Sequence, residues 1–198
     1  KSINEFGRID ILVNNAGITG FGKWWERDIP NDDDWMHVHA VNVRGMSKVT
    51  RAVAEYMKER RYGKIINIAS IAGRQGSPDM PHYSTSKAAA ISLTQSSALE
   101  LGPYDINVNA ICPGLLWTPM WEAISKRRLH HGVADRSFEE IEDLSEREFF
   151  EQTVEKMIPM KKEQTPEDIG NLAAFLGSDL AHNITGQAIN VDGGFRTN

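Results

Sequence analysis

The sequence predicts an α/β domain built on a doubly wound parallel sheet, and two observations support this prediction. Short apolar segments of strand length alternate along the chain with longer segments that carry apolar residues at helical spacing. Alternation of this kind is typical of a parallel sheet that is covered by helices on both faces. We therefore expect one domain over residues 1–198, with no internal repeat and no interdomain linker.

The strands justify the sheet, in chain order. Each strand is a short apolar run, and a turn signal such as Tyr62-Gly63 or Pro113-Gly114 stands beside two of the runs. Right-handed crossovers place each strand beside the one before it, so we expect sequence order and parallel pairing. The predicted strands are residues 9–13, 64–69, 106–112 and 187–191.

Three helices are predicted between these strands. Residues 34–58 and 83–101 have helical apolar spacing, and Gly102-Pro103 ends the second of them. Residues 166–176 form the third, because Thr165 is a good cap and Pro166 suits the first helical position.

Residues 120–164 interrupt the alternation, because they are long, charged and without a predicted strand. One interpretation is one or two solvated helices. A second is a substrate lid inserted in the domain, since long excursions after a strand's carboxyl end are where α/β proteins close over ligands. The two interpretations are compatible.

Composition limits the class of protein. The net charge of −5 argues against a nucleic-acid surface, and no apolar run reaches the ~20 residues that span a bilayer. We see no secretion signal, and the one cysteine, Cys112, cannot form an internal disulfide. A reducing cytoplasm is the expected location.

The run YSTSK places a phenol and an ammonium group on one helix face. Tyr83 and Lys87 are four residues apart at a helix start. A neighbouring lysine cation and the helix N-terminus both favour the phenolate, which would lower the tyrosine pKa and make it an acid/base. Ser70, at the end of the strand KIINIAS, either binds a substrate oxygen or caps a turn.

Other polar residues have two interpretations each. Asn14 to Gly17 (NNAG) offer amide side chains and a close backbone approach, or a plain strand-ending turn. Asn42, a poor helix former, bends its helix at a water-filled kink or lies on the exposed face. His82 either touches the substrate or is an exposed turn residue, and we expect the latter. The pair His130-His131 lacks a third ligand, so we predict no metal site.

Together these motifs resemble those of the classical short-chain dehydrogenase/reductase (SDR) family. They occur in the order and at the spacings that are typical of that family. The resemblance implies a Rossmann-like three-layer αβα fold and hydride transfer to or from a nicotinamide cofactor, NAD or NADP. The matching residues are NNAG at 14–17, Asn42, Ser70, YSTSK at 83–87, Pro113-Gly114 with Thr118, and Asp192-Gly193-Gly194.

The resemblance also implies roles for individual residues. Tyr83 would exchange a proton with the substrate oxygen, which Ser70 would hold. Lys87 would lower the tyrosine pKa and bind the nicotinamide ribose, and Asn42 would hold a water that relays protons. The implied cofactor-binding residues are Asn15, Ala16, Gly17, Tyr83, Lys87, Pro113, Gly114, Leu116 and Thr118.

The family's glycine-rich TGxxxGxG turn and its first strands have no counterpart in the sequence. We expect that about 70 residues of the family pattern are missing, from βαβ units of ~30 or more residues each. Tight dinucleotide binding by the chain as written is therefore not expected. The residue that selects NAD over NADP would lie in the same part. We expect a dehydrogenase whose N-terminal portion lies outside this sequence, and the alternative is a truncated, non-catalytic SDR-like protein or assembly subunit.

The implied reaction interconverts a secondary alcohol and a ketone, with a polyol, small diol, sugar or 3-oxoacyl compound as substrate. Trp117 and Trp121 are predicted near the pocket mouth, where the following segment supplies Arg127 and Arg128. Small and apolar residues on more than one face of helices 34–58 and 83–101 predict a homo-oligomer, and the resemblance implies a tetramer.

Overall fold

The computed structural model describes residues 2–132 and 144–197, and within them one parallel sheet of four strands. The strand order is β1-β2-β3-β4, which is the order of the sequence, and every pairing is parallel, as predicted. The strands are β1 (Ile11–Asn14), β2 (Gly63–Ile68), β3 (Ile106–Pro113) and β4 (Ala188–Val191).

Helices connect these strands and cover them. Helix α4 begins two residues earlier than predicted because Pro81 occupies its first turn, where a missing N–H costs nothing. The helices are α1 (Ser2–Phe6), α2 (Asp32–His39), α3 (Met46–Arg60), α4 (Pro81–Leu101), α5 (Pro119–His131), α6 (Glu146–Met157) and α7 (Pro166–Gly177).

Three layers result from this connectivity. On one face of the sheet, α3 and α4 pack on β2 and β3 through a cluster that includes Met57, Ile65 and Val108. On the other face, α7 packs through Leu176 against Ile66 and Ile111. Alternate residues of a strand point to opposite faces, so both sides of the sheet are apolar and buried. The predicted three-layer α/β fold is confirmed.

The single helix predicted over residues 34–58 is wrong in one respect, because a π-helical segment divides it. Residues Ala40–Gly45 form this segment between α2 and α3. Asn42 lies within it and is completely buried, so the exposed-face interpretation is also wrong. Single π turns inside helices occur frequently at functional sites.

Residues 120–164 include α5 and α6 in the described part of the chain. The interval 133–143 of the predicted lid lies outside the described residues. Helix α6 is not a solvated helix, since Phe149 and Phe150 on it are fully buried. Within residues 2–132 and 144–197, no helix is both long and apolar enough to cross a membrane.

Candidate active site

The loops at the carboxyl ends of the strands surround a cavity of about 550 Å³. This is the edge of a parallel sheet at which α/β proteins bind ligands. Of the predicted site residues, Ala16 and Asn42 do not line the cavity. Those that line it are Asn15, Gly17, Ser70, Tyr83, Lys87, Pro113, Gly114, Leu116 and Thr118.

Ser70 and Tyr83 come to the cavity from different elements. Ser70 follows β2, and its Oγ accepts a hydrogen bond of 3.1 Å from the Ala72 amide, which caps the short 3₁₀ helix Ile71–Gly73. The serine therefore caps a turn and lines the cavity at once. Tyr83 lies in the first turn of α4, and its side chain is buried against the cavity wall.

The protonation of Tyr83 differs from the sequence expectation. Burial raises the pKa of Tyr83 to about 12, and the Ser70 hydroxyl lowers it by less than burial raises it. Lys87 Nζ stands 5.7 Å from the centre of the phenol ring. The predicted lowering of this pKa is thus outweighed, because desolvation disfavours the phenolate. At neutral pH the phenol holds its proton.

Lys87 is buried and held by the sheet. Its Nζ donates a hydrogen bond of 2.9 Å to the carbonyl of Ile68, the last residue of β2. Burial lowers the pKa of Lys87 to about 8, because the ammonium loses hydration. The ammonium therefore carries its charge at pH ~7 and loses it in mildly alkaline solution.

Asn42 fixes the loop that follows β1. Its Oδ1 accepts from the Ile18 amide at 2.9 Å, and its Nδ2 donates to the Ile18 carbonyl at 2.9 Å and to Ser86 Oγ at 3.0 Å. One buried side chain thus ties the loop to α4, the helix that carries Tyr83 and Lys87. The amide is fully engaged as a donor.

Gly17 allows this loop to approach the lysine. A Cβ at position 17 would lie 3.3 Å from Lys87 Nζ and 3.4 Å from Asn42 Oδ1, which is closer than most side-chain contacts. The glycine keeps the backbone open beside a buried cation. The open backbone beside the Lys87 ammonium fits a nicotinamide riboside, because the ribose hydroxyls accept hydrogen bonds from such a donor.

Hydrogen bonds to Val191 of β4 and to Gln164 fix the loop after β3. The Gly114 amide donates to the Val191 carbonyl at 2.9 Å, and Gln164 Oε1 accepts from the Leu115 amide at 2.7 Å. A Cβ at Gly114 would lie 2.4 Å from Gln164 Oε1. Thr118 then caps α5, accepting from the Trp121 amide at 3.4 Å. The loop from Pro113 to Thr118 is a rigid wall of the cavity.

The opposite wall comes from residues that the sequence analysis did not single out. Met120 Sδ lies 4.0 Å from Tyr83 Oη, and Ile124 follows one turn later on α5. Thr153 and Met157 of α6 line the same wall. Met120 and Ile124 are four residues apart, as are Thr153 and Met157, and this helical spacing is the sequence pattern that indicates a shared face. Trp121 lines the cavity as predicted, whereas Trp117 packs against the ring of Phe150.

His82 is not the exposed turn residue that the sequence predicts. Its side chain is 1% exposed, and its Nε2 lies 2.7 Å from the Thr19 carbonyl. Burial lowers the pKa of His82, which favours the neutral imidazole. The loop after β1 covers this side chain, so His82 does not line the cavity.

The chain has one parallel sheet between two layers of helices, and serine, tyrosine and lysine are gathered at the carboxyl edge of that sheet. This is the fold of the Rossmann-type dehydrogenases. Residues 1–129 match the family model described as short chain dehydrogenase, and residues 136–196 match the model described as Enoyl-(Acyl carrier protein) reductase. The chain belongs to the short-chain dehydrogenase family.

Curated relatives agree with this assignment. The chain is 35% identical over 198 residues to the 3-oxoacyl-[acyl-carrier-protein] reductase FabG of Thermotoga maritima, covering 98% of this chain and 69% of that protein. It is 37% identical over 189 residues to the oxidoreductase UcpA of Escherichia coli, covering 95% of this chain and 65% of that protein.

Solved structures share the fold. An NAD+-bound xylitol dehydrogenase superposes with a TM-score of 0.83 at 35% identity, over 97% of this chain and 71% of that chain. A levodione reductase superposes with a TM-score of 0.82 at 31% identity, over 97% of this chain and 68% of that chain. These similarities support a nicotinamide-dependent oxidoreductase as the class of enzyme.

Proposed function

We propose that this chain carries the active site of an NAD(P)-dependent oxidoreductase that interconverts a secondary alcohol and a ketone. The observation that carries the proposal is the gathering of Ser70, Tyr83 and Lys87 around one cavity. A nicotinamide cofactor, when bound, supplies the hydride in reduction or accepts it in oxidation.

The roles follow from the protonation of these groups. In reduction, Tyr83 Oη donates its proton to the ketone oxygen as the carbon gains a hydride, and the product is the secondary alcohol. The high pKa of Tyr83 keeps that proton in place at neutral pH. Ser70 Oγ, fixed by its cap, binds the same oxygen and orients it.

Lys87 is proposed to bind the nicotinamide ribose and to stabilise the tyrosinate that forms when the proton leaves. The Lys87 ammonium faces the phenol ring and is buried. Charge interactions are stronger in the protein interior than in water. Both amide hydrogens of Asn42 are already donated. A water relay from Lys87 would therefore use an oxygen of Asn42 as its acceptor.

The cofactor-binding assignment is also a proposal. Asn15 and Gly17 from the loop after β1, and Pro113, Gly114, Leu116 and Thr118 from the loop after β3, line the same cavity as Lys87, whereas Ala16 does not. These residues would hold the nicotinamide end of NAD or NADP. Turnover with each cofactor distinguishes NAD from NADP.

The substrate proposal is a small ketone or secondary alcohol. Similar proteins are named for 3-oxoacyl and xylitol substrates, which supports a polyol, diol, sugar or 3-oxoacyl compound. Residues of α5 and α6 form the wall opposite the cofactor loops. We propose that residues 120–164 act as the lid that excludes water over this substrate.

The remaining proposals concern the whole protein. A buried, unpaired Cys112 suits a reducing cytoplasm. A homotetramer is proposed because apolar side chains such as Leu99 are exposed on the helices of one face.

A turnover screen tests the proposed function. The full-length protein is assayed with a panel of polyols, diols and ketones against NAD, NADP and their reduced forms. Tyr83→Phe should lower kcat by about 10²–10⁴-fold, because the phenol oxygen carries the proton. Tyr62→Phe is the matched control, since its hydroxyl bonds Asp179 outside the cavity. Unchanged turnover in Tyr83→Phe contradicts the assignment.

A further inference from the structure

One stripe of helix α5 connects the reacting end of the cavity to a cation. Met120, Ile124 and Arg128 recur every four residues and all line the cavity. Met120 Sδ lies 4.0 Å from Tyr83 Oη. At ~1.5 Å of rise per residue, Arg128 stands about 12 Å farther along the helix axis. The same wall therefore runs from the phenol to a guanidinium group.

The guanidinium is held in place from two sides. Arg128 Nε lies 3.6 Å from Asp79 Oδ2, and the two side chains are 19% and 14% exposed. The guanidinium carbon also lies 5.6 Å from the ring centre of Trp121, which packs against Phe150. Asp79 belongs to the loop before α4, so the ion pair joins two walls of the cavity. Its separation is longer than the ~2.7–2.9 Å of a charge-assisted hydrogen bond.

The described residues of the cavity wall carry a net positive charge. Among its lining residues in the described part of the chain, the cations are Lys87, Arg128 and Arg196, and the acid is Asp79. Beside Tyr83 the wall is apolar, because Met80, Met120, Trp121 and Ile124 line the cavity and pack in one cluster with the phenol. An apolar channel with a proton donor at one end and a guanidinium at the other suits a particular ligand shape.

We propose that Arg128 binds an anionic group of the substrate, at the end of the cavity remote from Tyr83. The substrate class is a ketone, or its secondary alcohol, in which an apolar spacer separates the reacting carbon from a carboxylate or similar anion. Arginine suits this role because its planar fork matches carboxylate geometry. The inference rests on the proposed function, since it places the ketone at Tyr83.

Binding to a complex that cannot react tests the inference. Dissociation constants are measured by calorimetry on the full-length protein for para-acetylbenzoate and for the neutral para-acetylbenzamide, with NAD+ or NADP+ present so that the ketone is not reduced. The anion should bind about 10–100-fold more tightly than the amide, the usual effect of a hydrogen bond to a charged group. The cationic para-(aminomethyl)acetophenone should bind most weakly.

Variants separate Arg128 from the other cations. In Arg128→Gln the preference for the anion should fall to within about twofold, and in Arg128→Lys part of it should remain. Lys126→Gln removes an exposed cation of the same helix that does not line the cavity, and it should keep the full preference. Thermal melting of each variant confirms that it is folded.

A double variant removes the remaining ambiguity. Arg128→Gln leaves the Asp79 carboxylate without its ion pair, and that carboxylate would itself repel an anion. In Asp79→Asn combined with Arg128→Gln, the preference should stay lost. Its return there, its persistence in Arg128→Gln, or its absence in the unmodified protein overturns the inference.

The same measurements distinguish failure of the Arg128 subsite from failure of the proposed function. Reduction of the neutral amide without any preference for the anion means that only the subsite is wrong. An anion preference that depends on Arg128, without reduction of any ketone by either cofactor, means that the subsite stands and the proposed reaction fails.

Discussion

Burial moves Tyr83 and Lys87 toward their neutral forms, and the consequences for the two groups differ. Burial raises the pKa of Tyr83 to about 12, so the phenol remains a proton donor across the physiological range. Burial lowers the pKa of Lys87 to about 8, so its charge is lost at much lower pH than that of a free lysine. Lys87 is then the group whose titration limits the active protonation state.

A pH profile of ketone reduction checks this conclusion. The active state needs Tyr83 protonated and Lys87 charged, so kcat/KM should be high below the Lys87 pKa of about 8 and fall as pH rises through it. Lys87→Met should be slow throughout and should lack this fall. A wild-type profile that stays flat to about pH 10 contradicts the assignment, because a free lysine keeps its charge to about that pH.

The sequence predicted that Ser70, Tyr83 and Lys87 lie together, as they do around the cavity, but not the protonation states of Tyr83 and Lys87. The four-residue spacing of Tyr83 and Lys87 places them on one helix face without any knowledge of the fold. Their burial depends on Met120 and other residues far along the chain. His82 shows the same limit, since only the folded position of Thr19 reveals that the imidazole is covered.

At the scale of elements, α5 and α6 supply the cavity wall opposite the loops that follow the strands. Arg147 of α6 pairs with Glu163 through two contacts of 2.9 and 3.0 Å, and its guanidinium carbon lies 5.2 Å from the centre of the Trp117 ring. The contact with Trp117 joins α6 to the loop that leads into α5, and the pair with Glu163 joins α6 to the segment that precedes α7. Because the charged groups are partly exposed, each contributes little stability alone.

Hydrogen exchange tests the proposed lid. In the free protein we expect faster amide exchange in α6 than in α4, whose inner face is buried against the sheet. Adding a ketone with oxidised cofactor should slow exchange in α6 and leave α7, on the opposite face of the sheet, unchanged. Equal exchange in α6 with and without ligand would remove the support for a closing lid.

Strands were more predictable than the helix that carries Asn42. Each strand is a short apolar run, and the observed bounds differ from those predicted by at most two residues. The π-helical segment Ala40–Gly45 has no periodic signature, because the apolar spacing on either side of it is helical. Only the unfavourable asparagine signalled an irregularity, and its partner Ile18 is 24 residues away.

At the scale of the whole molecule, the outer helices expose apolar side chains. Leu99 on α4 is 83% exposed, and Val49 and Tyr56 on α3 are 45% and 46% exposed. Both helices cover the same face of the sheet. A second copy of the chain would bury these groups, which is the basis for the proposed homotetramer.

Light scattering at micromolar concentration measures the assembly. We expect a mass several times that of one chain, and Leu99→Glu should lower it because a buried carboxylate is costly at an apolar interface. Ile29→Glu serves as a control, since Ile29 is also exposed but lies outside α3 and α4. A monomeric mass for the unmodified protein is incompatible with the proposed tetramer.

The central claim is hydride transfer between a nicotinamide and a carbon of the substrate at the Tyr83 site. The most direct measurement uses a reduced cofactor carrying deuterium at the transferred position, with mass spectrometry of the alcohol formed from a ketone. We expect each product molecule to carry one deuterium on the carbinol carbon, and Tyr83→Phe to form product far more slowly. Product alcohol without deuterium, or no product with either deuterated cofactor, would contradict it.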